Sequence, residues 1–264
     1  MTIAEAFVLG IVQGVTEFLP ISSSGHLVLA RKFMDIGTVP LLFDVLLHVA
    51  TLAVIMFYYR VKIGELSASG WRFLLRRSEK HDAPQLQRIA MIIGATVITV
   101  ALALVLRKTV LASDSTRMVS ILLLVTAMML VSTRFIPTSR SASPRIQTIV
   151  TGIAQGFGTL AGISRSGSTI SAALWTGMKR EEAGEYSFIL SIPAVLGALV
   201  LTLGDFSTHS VQVALLPTIA GCVGAFLAGM ASLRLLLWMV RTAKLWYFSF
   251  YLIIIGLLGL LLAV

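Results

Sequence analysis

The chain has 264 residues, 57% of them apolar and only 12% charged, with a mean hydropathy of +0.92, which excludes an ordinary soluble domain and describes an integral membrane protein. A single cysteine, Cys222, excludes a disulfide framework and a multi-cysteine metal site. The net charge of +9 comes from Lys and Arg gathered in short polar gaps between apolar runs, the positive-inside pattern of a membrane protein rather than a nucleic-acid surface.

In chain order, no Lys or Arg precedes Arg31 and no small-residue cleavage site is present, so the N-terminal stretch is not expected to be a removed signal peptide. Residues 3 to 18 are apolar but end at Pro20, in a serine-rich turn followed by a second short apolar piece. Stretches near 41 to 59, 88 to 107 and 118 to 136 are then long enough to cross about 30 Å of hydrocarbon as helices. Residues 146 to 163 repeat the broken pattern, interrupted by glycines and a second serine-rich turn. Three more spans follow near 185 to 204, 211 to 234 and 245 to 264. Gly221, Ala225 and Gly229, four residues apart, predict close helix approach, and Trp246, Tyr247 and Tyr251 an interfacial aromatic belt. Each broken stretch predicts a re-entrant hairpin, tolerated at membrane depth only where it is buried in protein or lines a wet cavity.

The two broken stretches are copies. "GIVQGVTEFLPISSSGH" from Gly10 aligns without a gap on "GIAQGFGTLAGISRSGS" from Gly152, with Gly10, Ile11, Gln13, Gly14, Ile21, Ser22, Ser24 and Gly25 recurring 142 positions later. Each copy is one hairpin followed by three spans, and an odd number of spans inverts the second copy. The predicted fold is an all-α integral membrane protein with inverted-topology repeats: a single membrane domain over 1–264, repeat one 1–140 and repeat two 141–264, whose discontinuous helices meet near the bilayer midplane.

Loop charges orient it. Arg60, Lys62, Arg72, Arg76, Arg77, Lys80 and Arg88, then Arg134, Arg140 and Arg145, then Arg241 and Lys244, mark cytoplasmic gaps. The loop from Asp205 to Ser210 and the C-terminus carry no Lys or Arg and are expected outside, as is the N-terminus; Arg107, Lys108 and Arg117 fit this parity poorly. The first hairpin would dip from the external face and the second from the cytoplasm, so that their polar turns meet and the active turn opens externally.

A carboxylate at membrane depth costs several kcal/mol unless paired or wet, so Glu17 is a functional candidate, and Gln13 one helical turn earlier adds an oxygen suited to a hard cation such as Mg²⁺ or Ca²⁺. After Pro20, Ser22, Ser23 and Ser24 stand at a helix start whose free N–H groups favour a phosphate, as do Ser164, Ser166, Gly167 and Ser168 in the second copy. His26 follows on the first turn, within expected reach of a serine hydroxyl. Arg165, aligned with Ser23, is the only cation of its turn and can bind phosphate through two bonds. A helix start from each repeat, a carboxylate, a hydroxyl, an imidazole and an arginine make a parts list for phosphoryl transfer.

At these residues the chain resembles the undecaprenyl-pyrophosphate phosphatases of the bacterial cell envelope, also called bacitracin-resistance proteins. "QGVTEFLPISSSGH" looks like the family's first motif and "GISRSGSTIS" its second, with "FDVLLHVATLAVI" and "EYSFILSIPA" similar to the segments that follow each. The resemblance implies hydrolysis of the terminal phosphate of a C55 isoprenoid pyrophosphate, with a divalent cation, in the bacterial plasma membrane, regenerating the carrier lipid for wall synthesis. It implies Gln13 and Glu17 as the metal- or pyrophosphate-binding pair, Ser23 and His26 as the catalytic pair and Arg165 as the phosphate-binding arginine, and it allows a homodimer. Ser23 is the favoured nucleophile with His26 exchanging its proton, and direct attack by the imidazole is the alternative. Gln13 stands where the family often has Glu, Ala161-Gly162 where it commonly has Pro-Gly, and Ala50 where it frequently has Gly. Asp44 and His48, spaced i, i+4, are expected as a structural pair facing the cavity. A transporter or flippase could share the inverted repeat without hydrolysing its lipid. The lipid phosphatases with a triple Lys-Arg-Pro, Ser-Gly-His and Ser-Arg-His motif share only Ser24-Gly25-His26, and are disfavoured because His48, His81 and His209 have no Ser-Arg approach.

Overall fold

The computed structural model of the chain describes residues 1–37, 39–109, 116–136, 141–206 and 214–262. Within them all regular structure is helical, with no strand. The first half holds α1 (Ile3–Phe18), α2 (Ser23–Phe33), α3 (Leu41–Tyr58), α4 (Arg60–Leu74), α5 (Ala83–Thr109) and α6 (Thr116–Ser132). The second holds α7 (Pro144–Phe157), α8 (Arg165–Trp175), α9 (Arg180–Phe206), α10 (Leu215–Arg241) and α11 (Phe248–Leu262).

Among the described residues, four stretches are long and apolar enough to cross a membrane: Leu41–Tyr58, Lys80–Leu106, Thr116–Phe135 and Leu215–Arg241. These correspond to the first three and the fifth of the expected spans, with ends shifted by several residues. Their outward faces carry exposed Val97, Leu104, Met128 and Leu227, as hydrocarbon solvent requires. The expected fourth span falls in α9, 27 residues long with Pro193 inside it. The last begins with a 3-10 turn, Leu245–Tyr247, where Trp246 stacks on Tyr247 at 4.3 Å and lies under Arg134 at 4.6 Å. The expected external loop after Asp205 lies, from Ser207 to Ser210, outside the described residues, as do Arg140 and the last two residues.

The short helices are set by their ends. Thr2 and Glu5 form a capping box at the start of α1. Its 16 residues span roughly 24 Å at 1.5 Å per residue, less than a bilayer core. Pro144 occupies the first turn of α7, where a missing N–H costs nothing. The sequence did not reveal α4, whose segment was expected to be a polar gap. Buried Asp82 clasps α4 to the start of α5, accepting from Ser69 Oγ at 2.7 Å, Arg72 Nε at 3.0 Å and the Glu79 amide at 3.0 Å. The helix is amphipathic but too polar for a span, so a search for apolar runs passes over it.

Each repeated glycine motif packs on a helix of the other half. Helix α1 lies along α10, where a Cβ on Gly10 would overlap the Gly221 backbone and one on Gly224 would stand 2.7 Å from the Phe7 carbonyl oxygen. Helix α7 lies along α5, and a Cβ on Gly152, the copy of Gly10, would come within 2.9 Å of the Ala95 carbonyl. The small-residue pattern of α10 therefore serves the contact it predicts. Helices α6 and α11 also pair, and α3 meets α9.

Gly10→Ala should lower the melting temperature of detergent-solubilised protein, because overpacking costs about 1–3 kcal/mol, more than the gain in helix propensity. Gly64→Ala, where a Cβ meets nothing within 4 Å, should be neutral or stabilising by about 0.5–1 kcal/mol. A Gly10→Ala protein as stable as Gly64→Ala would contradict the close α1–α10 contact.

Candidate active site

Pro20 cannot continue α1 and pushes the residue before it out of helical conformation: Leu19 is extended at φ −64°, ψ 142°. The chain re-enters helix α2 after Ser22, which holds φ +70° without being glycine, a sparsely populated conformation that surrounding contacts must maintain. Ser22 makes no side-chain cap, so the first-turn amides of α2 lack one. In the second copy Gly162 turns the chain at φ +98°, and Ser164 Oγ caps α8 by accepting from the Gly167 amide at 3.1 Å.

The two turns meet. The Gly162 amide donates to Ser22 Oγ at 3.3 Å, and Thr126 of α6 holds the second turn through the Gly162 carbonyl at 3.1 Å and the Ser164 amide at 3.2 Å. Between the turns lies a cavity of about 350 Å³. Glu17, Ser22, Ser23, Ser24, His48, Ser164 and Arg165, with Thr16 and Thr159, form its polar part, while Val45, Val49, Ala194, Val195 and Leu199 are among its apolar walls. Such a cavity can take an anionic group joined to hydrocarbon.

Glu17, 9% exposed, is the centre of this cavity's hydrogen bonding. Its Oε1 pairs with Arg165 Nη2 from the other half. Its Oε2 accepts from Ser23 Oγ at 2.8 Å and Gln13 Nε2 at 3.1 Å. His48 Nδ1 stands 3.4 Å from the same oxygen and 3.0 Å from Gln13 Nε2. Of the buried side-chain polar atoms that have no hydrogen-bond partner among the described residues, two belong to this group, Arg165 Nη1 and Gln13 Oε1. Unpaired buried polar groups are costly, and a ligand bound beside Glu17 can satisfy these two.

Several expected placements differ. His26 does not reach the Ser23 hydroxyl: its Nδ1 lies 2.8 Å from the Ser22 carbonyl and its Nε2 2.5 Å from the Tyr251 hydroxyl, and it lines a separate apolar groove. The contact expected of the imidazole is made by Glu17. Ser166 and Ser168 do not line the cavity. Ser166 Oγ faces Ser164 Oγ at 3.2 Å, and Ser168 Oγ donates to the Ala154 and Arg165 carbonyls. Gly167 packs tightly enough that a Cβ would sit 3.0 Å from Pro20 Cβ. Asp44 and His48 do not pair, because Asp44 turns to Arg31 of α2 while His48 turns to Glu17. Two further residues belong to these contacts: Tyr251, which an interfacial belt does not predict as a partner of His26, and Thr159, which lines the cavity and aligns without a gap on Glu17.

No cluster of three or more His, Cys, Asp or Glu able to hold a metal occurs among the described residues. Gln13 is fully buried, does not line the cavity and turns its Nε2 to Glu17; its orphaned Oε1 and the Glu17 carboxylate are oxygens of the type a hard cation takes, with substrate oxygens needed to complete the shell, as is usual for Mg²⁺ beside phosphates.

Residues 6–258 match the family model described as bacitracin resistance protein BacA. Among relatives, an undecaprenyl-diphosphatase of Treponema denticola is 43% identical over 97% of this chain and 96% of its own. Proteins of the same name from Desulfatibacillum aliphaticivorans and Korarchaeum cryptofilum are each 38% identical, covering 96% and 97% of this chain and 95% and 97% of their own. With both motifs inside the matched span, the chain belongs to the bacitracin resistance protein BacA family.

Proposed function

We propose that this multi-pass membrane protein is an undecaprenyl-diphosphatase that removes the terminal phosphate of undecaprenyl diphosphate and leaves the lipid monophosphate. The relatives carry that enzyme's name, and none of those cited is named as a transporter. The observation that carries the reading is the meeting of Glu17, Ser23 and Arg165 at one cavity, with Arg165 Nη1 unpartnered and apolar walls beside it.

In this mechanism the terminal phosphate enters between the starts of α2 and α8, taking the uncapped amides of α2 and the free Nη1 of Arg165. As Arg165 turns toward phosphate, Glu17 is released to accept the Ser23 proton. Ser23 Oγ attacks phosphorus, the bond to the bridging oxygen breaks, and the lipid monophosphate departs with the proton that Glu17 returns. Water then attacks the phosphoserine, Glu17 relaying its proton to Ser23 Oγ, and inorganic phosphate leaves. Glu17 and Gln13 Oε1 would hold the divalent cation, Mg²⁺ or Ca²⁺, which neutralises phosphate charge when bound. Ser22, Ser24 and Ser164 border the phosphate, while Ser166, Gly167 and Ser168 build the α8 turn behind it.

We further propose that the halves, 1–140 and 141–264, are inverted repeats, each a re-entrant hairpin plus three spans, in the bacterial plasma membrane with both termini and the cavity mouth external. Reciprocal packing supports the repeat relation, since α1 on α10 is matched by α7 on α5 and α6 pairs with its counterpart α11, while the orientation rests on the loop charges.

Purified protein in detergent should release phosphate from undecaprenyl diphosphate, lose activity with chelator and regain it with Mg²⁺ or Ca²⁺. Glu17→Gln and Arg165→Ala should each cost roughly 3–4 kcal/mol of transition-state stabilisation, several hundred-fold in turnover, and Arg165→Lys should be markedly impaired. Binding of the lipid without phosphate release would favour a transporter. Rapid quenching during turnover should trap an acid-stable phosphoserine at Ser23; an acid-labile phosphohistidine, or no phosphoenzyme, would contradict the serine step.

A further inference from the structure

From both nitrogens of His26 we infer that this residue and Tyr251 are a positioning pair for the Ser22–Ser24 turn, not a proton-transfer couple; the inference rests on the phosphatase reading of that turn. The Ser22 carbonyl can only accept, so the 2.8 Å contact requires His26 Nδ1 to carry the proton and donate. In the neutral ring Nε2 is then the acceptor, and its lone pair receives the Tyr251 hydroxyl at 2.5 Å. The two rings also stack, 22° from parallel with centroids 5.7 Å apart. Neither nitrogen is left for Ser23, whose hydroxyl is already committed to Glu17.

The anchored atom belongs to the residue with unusual backbone. Ser22 holds φ +70°, and its carbonyl is fastened through the imidazole to Tyr251 of α11, which lies 225 residues beyond His26. Ser22 is also the N-cap of α2 and the acceptor for the Gly162 amide, so its orientation fixes where Ser23 Oγ points and how the two motif turns meet. Around the pair the groove is apolar, with Ile11, Val15, Leu19 and Phe248, and Tyr251 is the polar partner the ring has there. The sequence pattern that suggests a membrane-interface tyrosine thus serves a tether into the catalytic turn.

The test compares replacements that keep and lose the Ser22 contact. Asparagine places its amide nitrogen where Nδ1 stands and can donate to the same carbonyl, but it cannot exchange a proton near neutral pH. His26→Asn should keep turnover within about 10-fold of wild type with an unshifted pH profile, whereas His26→Ala should lose about 100-fold or more, mostly in kcat. Tyr251→Phe should lower kcat several-fold with little change in KM and no change in the pH profile. Melting temperatures of all three establish that they are folded. His26→Asn as inactive as His26→Ala, or loss of one limb of the pH profile in His26→Asn, would overturn the proposal in favour of proton transfer. So would Tyr251→Phe with wild-type kcat. Absence of phosphate release by the wild-type protein would instead overturn the phosphatase reading itself.

Discussion

The structure depends on how one buried carboxylate is neutralised. Glu17 lies at the end of a helix in a chain with few charges, and an ionised carboxylate there is stable only beside a partner. Its cation comes from the other half of the chain, Arg165, 148 residues away. That requirement explains the close packing around it. Both motif turns must reach the same depth, so the helices that carry them, α1 and α7, have glycine where they press on α10 and α5. A pair satisfied internally in the empty protein is also a pair that a more highly charged phosphate can reopen.

The two copies have divided the labour. In the alignment of the two copies Glu17 is replaced by Thr159, Ser23 by Arg165 and His26 by Ser168. Gln13 and Gln155 are shared, yet Gln155 Nε2 turns to the Leu190 carbonyl and Thr99 Oγ1 at 3.4 Å, where Leu190 occupies the place matching His48. The second copy therefore retains the backbone of the motif and lends its arginine. Two half-sites of opposite charge meet in one cavity, a carboxylate from the first copy and a guanidinium from the second.

Much of this was legible because duplication is a relation within the sequence and needs no knowledge of packing. Glu17 and Arg165 stood out as charges inside apolar motifs, and the serines beside them as a helix start. The directions of side chains were less legible. Asp44 and His48 share a helical face by spacing, but Arg31 on α2 claims one and Glu17 the other, a choice made by neighbouring helices. His26 adjoins the serines in sequence, yet the i−4 carbonyl and the hydroxyl of α11 satisfy it away from them. Helix α4 was hidden because it is too polar to stand out as an apolar run, and the buried Asp82 that anchors it reads in sequence as one more charge of a polar gap.

The most direct test of the central claim, that both halves share one charged pair, is a thermal-stability double-mutant cycle in detergent without substrate. Glu17→Gln and Arg165→Met should each lower the melting temperature, because either leaves a buried charge uncompensated, at a cost of up to about 3–5 kcal/mol for a well-buried pair and less here, since Arg165 is partly exposed. The double variant removes both charges and should be less destabilised than the sum of the two, by at least about 1 kcal/mol of coupling. Additive losses, with no coupling, would mean that Glu17 and Arg165 do not meet and that the two motifs serve separate sites.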